Sequence, residues 1–183
     1  MTGRNGYLPR CRGRRVSTLC YMTDALIRRA ERADLAAIVR LRHEWTREEG
    51  IAELDDPDFE ENLAAWFARE WPRRIMWLAE EGGHAVGMMN LAVYERMPRP
   101  GRALSRWGYL GNVFVLAAYR NRGIGGQLVS AALHYADQNG FARVVLSPTE
   151  RSIPLYERAG FGPADALMLR PPQVSADRVS RPT

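Results

Sequence analysis

The sequence predicts an α/β fold, a single mixed sheet flanked by helices on both faces. Three observations carry that expectation. Apolar residues recur in runs that switch between strand and helix periods, in the order strand, two helices, three strands, helix, strand, helix, strand. A chain of 183 residues, 46% apolar and 26% charged, is one ordinary globular domain. And a glycine-rich turn, YRNRGIGGQL at 119–128, joins a central apolar strand to a helix.

The elements follow in order. Residues 25–30 read as a first short strand. Asp34 can cap a helix whose buried stripe is Leu35, Ile38, Val39, Arg42 and Trp45. After the acidic connection EEGIAELDDPDFEEN, Asp56-Pro57 opens a helix with Leu63, Trp66, Phe67 and Trp71 on its apolar face. Residues 74–80 and 85–94 are strands joined by the turn EGGH. Residues 96–106 (RMPRPGRALSR) have no repeating face and read as a loop. WGYLGNVFV is a central strand interrupted by Gly111, where an isolated glycine marks a bulge or a close backbone approach. The next helix carries Ile124, Leu128, Ala132 and Tyr135 and closes at Asn139-Gly140. ARVVLS is a short apolar strand, SIPLYERAGF a short helix, and residues 161–170 are expected to form a last strand.

The ends stand apart from this domain of residues 22–170. Residues 1–21 are an arginine-rich arm expected to be disordered, so Met22 is the expected true start, and residues 171–183 are expected to be a flexible tail. The net charge of +5 is that of the arm, which holds Arg4, Arg10, Arg12, Arg14 and Arg15 and no acid. A nucleic-acid-binding domain would place its basic face in the folded part, so nucleic acid is the weaker reading. There is no lysine, which removes a phosphate loop of the nucleoside-triphosphate type. Cys11 and Cys20 both lie in the arm without nearby histidines, and His43, His84 and His134 are scattered singly. No metal site is expected. No run approaches the roughly 18 apolar residues of a membrane span, and the expected location is cytoplasmic.

The turn itself has a physical rationale. The first amides of a helix lack internal partners and carry partial positive charge. Gly123, Gly125 and Gly126 remove side chains that would obstruct an anion there, and Arg120 and Arg122 add donors suited to phosphate oxygens. Leu128 breaks the dinucleotide pattern G-x-G-x-x-G. Spacing alone leaves open a tight turn with surface arginines.

Arg120, Gly123 and Gly125 also fill the coenzyme A loop pattern of the GNAT N-acetyltransferase superfamily, which the sequence resembles over about residues 24–170. NVFVLAAYR is similar to that family's fourth strand, and SIPLYERAGF to its second conserved segment. The resemblance implies a GNAT-like acyl-CoA N-acyltransferase fold and acetyl-CoA as co-substrate, without a metal. It implies that backbone groups of Val113, Phe114 and Val115 hold the pantetheine arm. Residues Arg120, Asn121, Arg122, Gly123, Ile124, Gly125 and Gly126 would then hold the pyrophosphate. Thr149 stands where the family often has an asparagine that bonds to the cofactor.

Tyr156 is placed by the resemblance at the sulfur, as the general acid that protonates the departing thiolate. Packing of Leu155 and Tyr156 against the sheet is its structural alternative. An amine of lysine-like pKa is neutral about once in 2,500 molecules at pH 7, so a base is expected, directly or through water. Glu44, Glu48, Glu49 and Glu95 are candidates, with Asn112 able to position the water. The stretch from Glu48 to Glu61 holds eight acids. Four of these, Asp56, Asp58, Glu60 and Glu61, suit a helix start, whereas Glu48, Glu49, Glu53 and Asp55 remain open for attracting a cationic amine. The expected activity is direct acetyl transfer to an amine of a small molecule or a protein, with a homodimer plausible for the family. A non-catalytic acyl-CoA-binding sensor or regulatory module is the alternative.

Overall fold

The structure is a computed structural model that describes residues 25–50, 56–165 and 167–170. The arginine arm, Met22, Glu53, Asp55 and the tail lie outside the described residues. The strands are β1 (Leu26–Arg29), β2 (Arg74–Glu81), β3 (His84–Glu95), β4 (Arg106–Val115) and β5 (Val144–Val145). They lie side by side in that order, antiparallel except for the parallel pair β4–β5. The helices are α1 (Leu35–Glu48), α2 (Phe59–Glu70), α3 (Ile124–Gln138) and α4 (Ile153–Arg158).

Helices cover both faces, because the strands carry apolar side chains on both. On one face α3 buries Ile124, Leu128, Val129 and Ala132 against Trp77, Met89, Leu91 and Leu110. On the other, α1 and α2 bring Ile38, Leu41 and Phe67 against Met76, Leu78, Met88 and Phe114. A strand covered on both faces buries consecutive residues, as β3 does from Ala85 to Ala92, whereas β4 keeps Tyr109 and Asn112 exposed.

Two sequence expectations change. Asp34 precedes α1, but its side chain caps nothing in that helix. A single 3-10 turn at Arg32–Asp34 comes first, and the Asp34 carboxylate accepts from the Glu31 amide (2.7 Å) and from Arg28 (2.7 Å). More consequentially, the last strand expected over 161–170 is not formed, since none of the described residues there is in a strand. β5 is only two residues long, so it offers little edge to pair with, and Gly162-Pro163 interrupts the approach because proline has no N–H to donate. Met168 and Leu169 are accordingly almost fully exposed.

The irregularity expected near Gly111 is present, and it does more than bend the strand. Asn90 of β3 pairs with Gly111 and Met88 with Phe114, so Asn112 and Val113 stand opposite the single residue Met89. This is a β-bulge. Side chains four apart on a regular strand share a face. Here Leu110 packs on the α3 side and Phe114 on the α1–α2 side, because the extra residue shifts the phase. The left-handed conformation is taken by Asn112 (φ 54°) rather than by Gly111. Asparagine is among the few residues that tolerate it.

Candidate functional site

β4 and β5 pair only at Gly108–Val144 and Tyr109–Val145. Beyond Tyr109 the two chains part while β4 runs on for six more residues, and a wedge opens between them. The glycine turn closes the far end of that wedge. A 3-10 turn at Ala117–Tyr119 brings the chain off β4, and two left-handed residues, Asn121 (φ 60°) and Gly123 (φ 84°), reverse it into α3. The first intrahelical bond is donated by Gln127 to the Gly123 carbonyl (3.0 Å), which leaves the amides of Ile124, Gly125 and Gly126 without helical acceptors.

A cavity of about 360 Å³ lies over these amides. Of the sequence-predicted cofactor residues it collects Val113, Val115, Arg120, Asn121, Gly123, Ile124, Gly125, Gly126 and Thr149. Gly123 is required by its backbone angle. Gly125 is not required by the protein at all: a Cβ there would meet only the Leu155 side chain, at 3.6 Å, an ordinary contact. What a side chain at 125 would fill is the cavity, which fits a site kept clear for an anion on the helix amides. The donor set and the size of the wedge suit the pyrophosphate and arm of an acyl-CoA.

The charges are arranged differently from what the sequence suggested. Arg120 donates from Nε to the Val115 carbonyl (2.8 Å) and from Nη2 to Glu48, at the end of α1. Arg122 donates to both oxygens of Glu81 (2.8 and 2.9 Å) and does not line the cavity. The two arginines of the turn therefore hold it against α1 and β2. Sequence reasoning missed Arg151 and Arg158, which line the same cavity and have no carboxylate partner among the described residues. They arrive on the turn before α4 and on α4 itself, so no local pattern joins them to the glycine turn. Thr149 is at the cavity, but its hydroxyl donates to Ser152 (3.0 Å).

Phe114 points the other way. Its ring stacks on Trp45 of α1 (centroids 5.4 Å apart, 3° between planes), so only its backbone is available to the wedge. Tyr156 lies on α4, edge-on to Phe161 (5.9 Å), and lines a neighbouring apolar cavity of about 340 Å³ with Val144, Val145 and Leu146 of the β5 segment. Burial first, and then the neighbouring Tyr109, push its phenol above its ordinary value. It therefore keeps its proton throughout the neutral range, as a donor must. Tyr109 is the last β4 residue paired with β5, so Tyr156 sits near the point where the two strands part, and it does not line the cavity over the α3 amides.

On the opposite face of β4 a smaller cavity, about 200 Å³, lies between α1, α2 and the sheet. Asn112 lines it, while the adjacent Val113 lines the wedge, so the bulge separates two chambers by one residue. None of the candidate bases lines either chamber. Glu44 is paired with Arg47 (2.7 Å) and Glu48 with Arg120, while Glu49 and Glu95 are exposed. Among the described residues no group of three or more His, Cys, Asp or Glu is placed to hold a metal ion, and no helix is long and apolar enough to cross a membrane.

Residues 35–161 match the family model described as Acetyltransferase (GNAT) family. An uncharacterized N-acetyltransferase of Bacillus subtilis (strain 168), YhfO, is 32% identical over 139 residues, covering 74% of this chain and 88% of the relative. The glucosamine 6-phosphate N-acetyltransferase of Trypanosoma brucei brucei is 33% identical over 79 residues, 43% of this chain. There the chain spans about half the length of the relative it matches, 52%. Among solved structures, an acetyltransferase of Clostridium acetobutylicum, described as predicted and determined with acetyl-CoA, superposes with a TM-score of 0.65. It is 21% identical, with 80% of this chain and 96% of that one covered.

Proposed function

The chain belongs to the GNAT acetyltransferase family and is an N-acetyltransferase that uses acetyl-CoA, and on that premise we propose that acetyl transfer occurs directly, across the β4 bulge, to an amine held on the α1–α2 side. The observation that carries this reading is the pair of chambers divided by Asn112 and Val113.

Acetyl-CoA supplies an activated acetyl group whose carbonyl carbon a neutral amine attacks, forming a C–N bond as the C–S bond breaks. The residues of the chain do the rest. The amides of Ile124, Gly125 and Gly126 hold the pyrophosphate, with Arg151 and Arg158 as its unpaired cations. Arg120 and Arg122 keep the turn in place through Glu48, Glu81 and the Val115 carbonyl. Backbone groups of Val113 and Val115 line the arm of the cofactor. Tyr156 gives its phenolic proton to the thiolate, and its raised pKa makes it a donor that is fully protonated at the start of each turnover. The proton lost by the amine leaves through water positioned by Asn112, since no carboxylate lines the chamber among the described residues.

The proposal includes a cytoplasmic location and assembly as a homodimer, as many related domains assemble. The test of the catalytic reading is acetyl-CoA consumption with an amine panel by wild type and by Tyr156→Phe. Loss of turnover with cofactor affinity kept supports it, and undiminished turnover in the variant contradicts the role of Tyr156.

A further inference from the structure

The chamber on the α1–α2 side has a chemistry of its own. Its walls are Ile38 of α1, Leu63 and Trp66 of α2, and Met76 and Met88 of the sheet. It has two polar members, Arg42 and Asn112. Arg42 is half-buried and lies over the Trp45 ring (4.5 Å to the centroid), with no carboxylate partner among the described residues. No acid lines the chamber.

These facts constrain what the chamber takes. Its volume, about 200 Å³, is that of about six or seven waters at roughly 30 Å³ each, enough for one compact organic molecule and too small for an oligosaccharide. Apolar walls favour an apolar body. A guanidinium stacked on an aromatic ring presents its fork edge-on and lacks a counter-ion, the arrangement that binds a carboxylate in bidentate fashion. A second ammonium group would instead meet like charge with no acid to offset it.

We infer that the acceptor is an apolar α-amino acid or a closely related amino carboxylate, its carboxylate held by Arg42, its side chain among Met76, Met88, Leu63 and Trp66, and its amine turned to the bulge at Asn112. This rests on the acetyltransferase reading and narrows its acceptor. The acids nearest to Arg42 along α1, Glu44 and Glu48, are already bound to Arg47 and Arg120.

The experiment measures release of free coenzyme A thiol by the full chain with matched amines. L-methionine, L-leucine and L-phenylalanine are each compared with the amine lacking the carboxylate, and spermidine serves as the polycation. The expected result is kcat/KM at least tenfold higher for the amino acids than for their decarboxylated partners. Arg42→Ala is expected to remove that preference and leave KM for acetyl-CoA unchanged, with Arg42→Lys restoring part of it. Preference for spermidine or for the decarboxylated amines overturns the inference in the wild type alone, whether or not the variants fold. So does an Arg42→Ala enzyme that keeps the preference. Turnover of other amines only, with acetyl-CoA bound, sinks the amino-carboxylate acceptor and leaves the acetyltransferase reading standing. A folded chain that neither binds acetyl-CoA nor acetylates any amine sinks both.

Discussion

The Arg120 guanidinium joins Glu48, the last residue of α1, to the carbonyl of Val115, the last residue of β4. The same guanidinium lies over the Phe114 ring (5.6 Å), and Phe114 in turn stacks on Trp45, one turn before Glu48. The end of α1, the end of β4 and the start of the glycine turn are thus one packed unit. Glu48→Gln is expected to raise KM for acetyl-CoA a few-fold, with kcat largely retained. Steady-state kinetics at saturating amine check this, and an unchanged KM would show that the turn holds its shape without the ion pair.

Arg151 and Arg158 face the cavity over the α3 amides, whereas Arg122 is held by Glu81. Arg151→Ala and Arg158→Ala should each weaken acetyl-CoA binding roughly fivefold, the factor that corresponds to about 1 kcal/mol for an exposed charge-assisted contact. Arg122→Ala should act mainly on the melting temperature. Calorimetric titration of acetyl-CoA against the three variants separates the two roles.

The glycine turn and the bulge of the candidate site were legible in the sequence, and the reason is locality. The glycine turn declares itself because all its special requirements, a left-handed Gly123 and an uncluttered Gly125, fall within a few residues. The bulge was legible at Gly111 but off by one residue, since Asn112 accepts the left-handed angle that glycine would otherwise supply. What was hidden is long-range. Arg120 meets Glu48 across 72 positions and Arg122 meets Glu81 across 41. That no described residue of 161–170 is in a strand was hidden for the same reason. ALMLR reads as a strand by its letters, but a strand needs an edge, and β5 ends after two residues.

Tyr156→Phe should lower kcat by about 10²-fold, within the range of a lost general acid, and leave KM for acetyl-CoA near its wild-type value. Because the phenol is held above its ordinary value, the decline of kcat at high pH should also lie above that value, and it should vanish in the phenylalanine variant. A pH–rate profile of both proteins is the check.

Acid stability should depend on Glu70. Its carboxylate is held down to about pKa 2 by Arg73 first and Arg74 second, through bonds of 2.5 to 3.1 Å. A depressed folded-state pKa means the contribution is fully present above the ordinary carboxylate range, near pH 4.5, and is lost as pH falls toward 2. Asp34, lowered by Arg28, acts in the same sense. Melting temperatures from pH 6 down to pH 2 should fall steeply in that window, and Glu70→Gln should flatten the fall.

Binding of the acetyl-CoA pyrophosphate by the amides at the start of α3 is checked by a thermal melt. Wild type and Gly125→Asp are melted with acetyl-CoA at about a hundred times the dissociation constant, with ATP and NAD as controls. That concentration adds about 2.7 kcal/mol, a rise of roughly 5–10 °C for a domain of this size. That rise is expected with acetyl-CoA in the wild type, and none in a Gly125→Asp protein that melts cooperatively on its own. An equal rise in the folded variant, or no rise in the wild type, would contradict it.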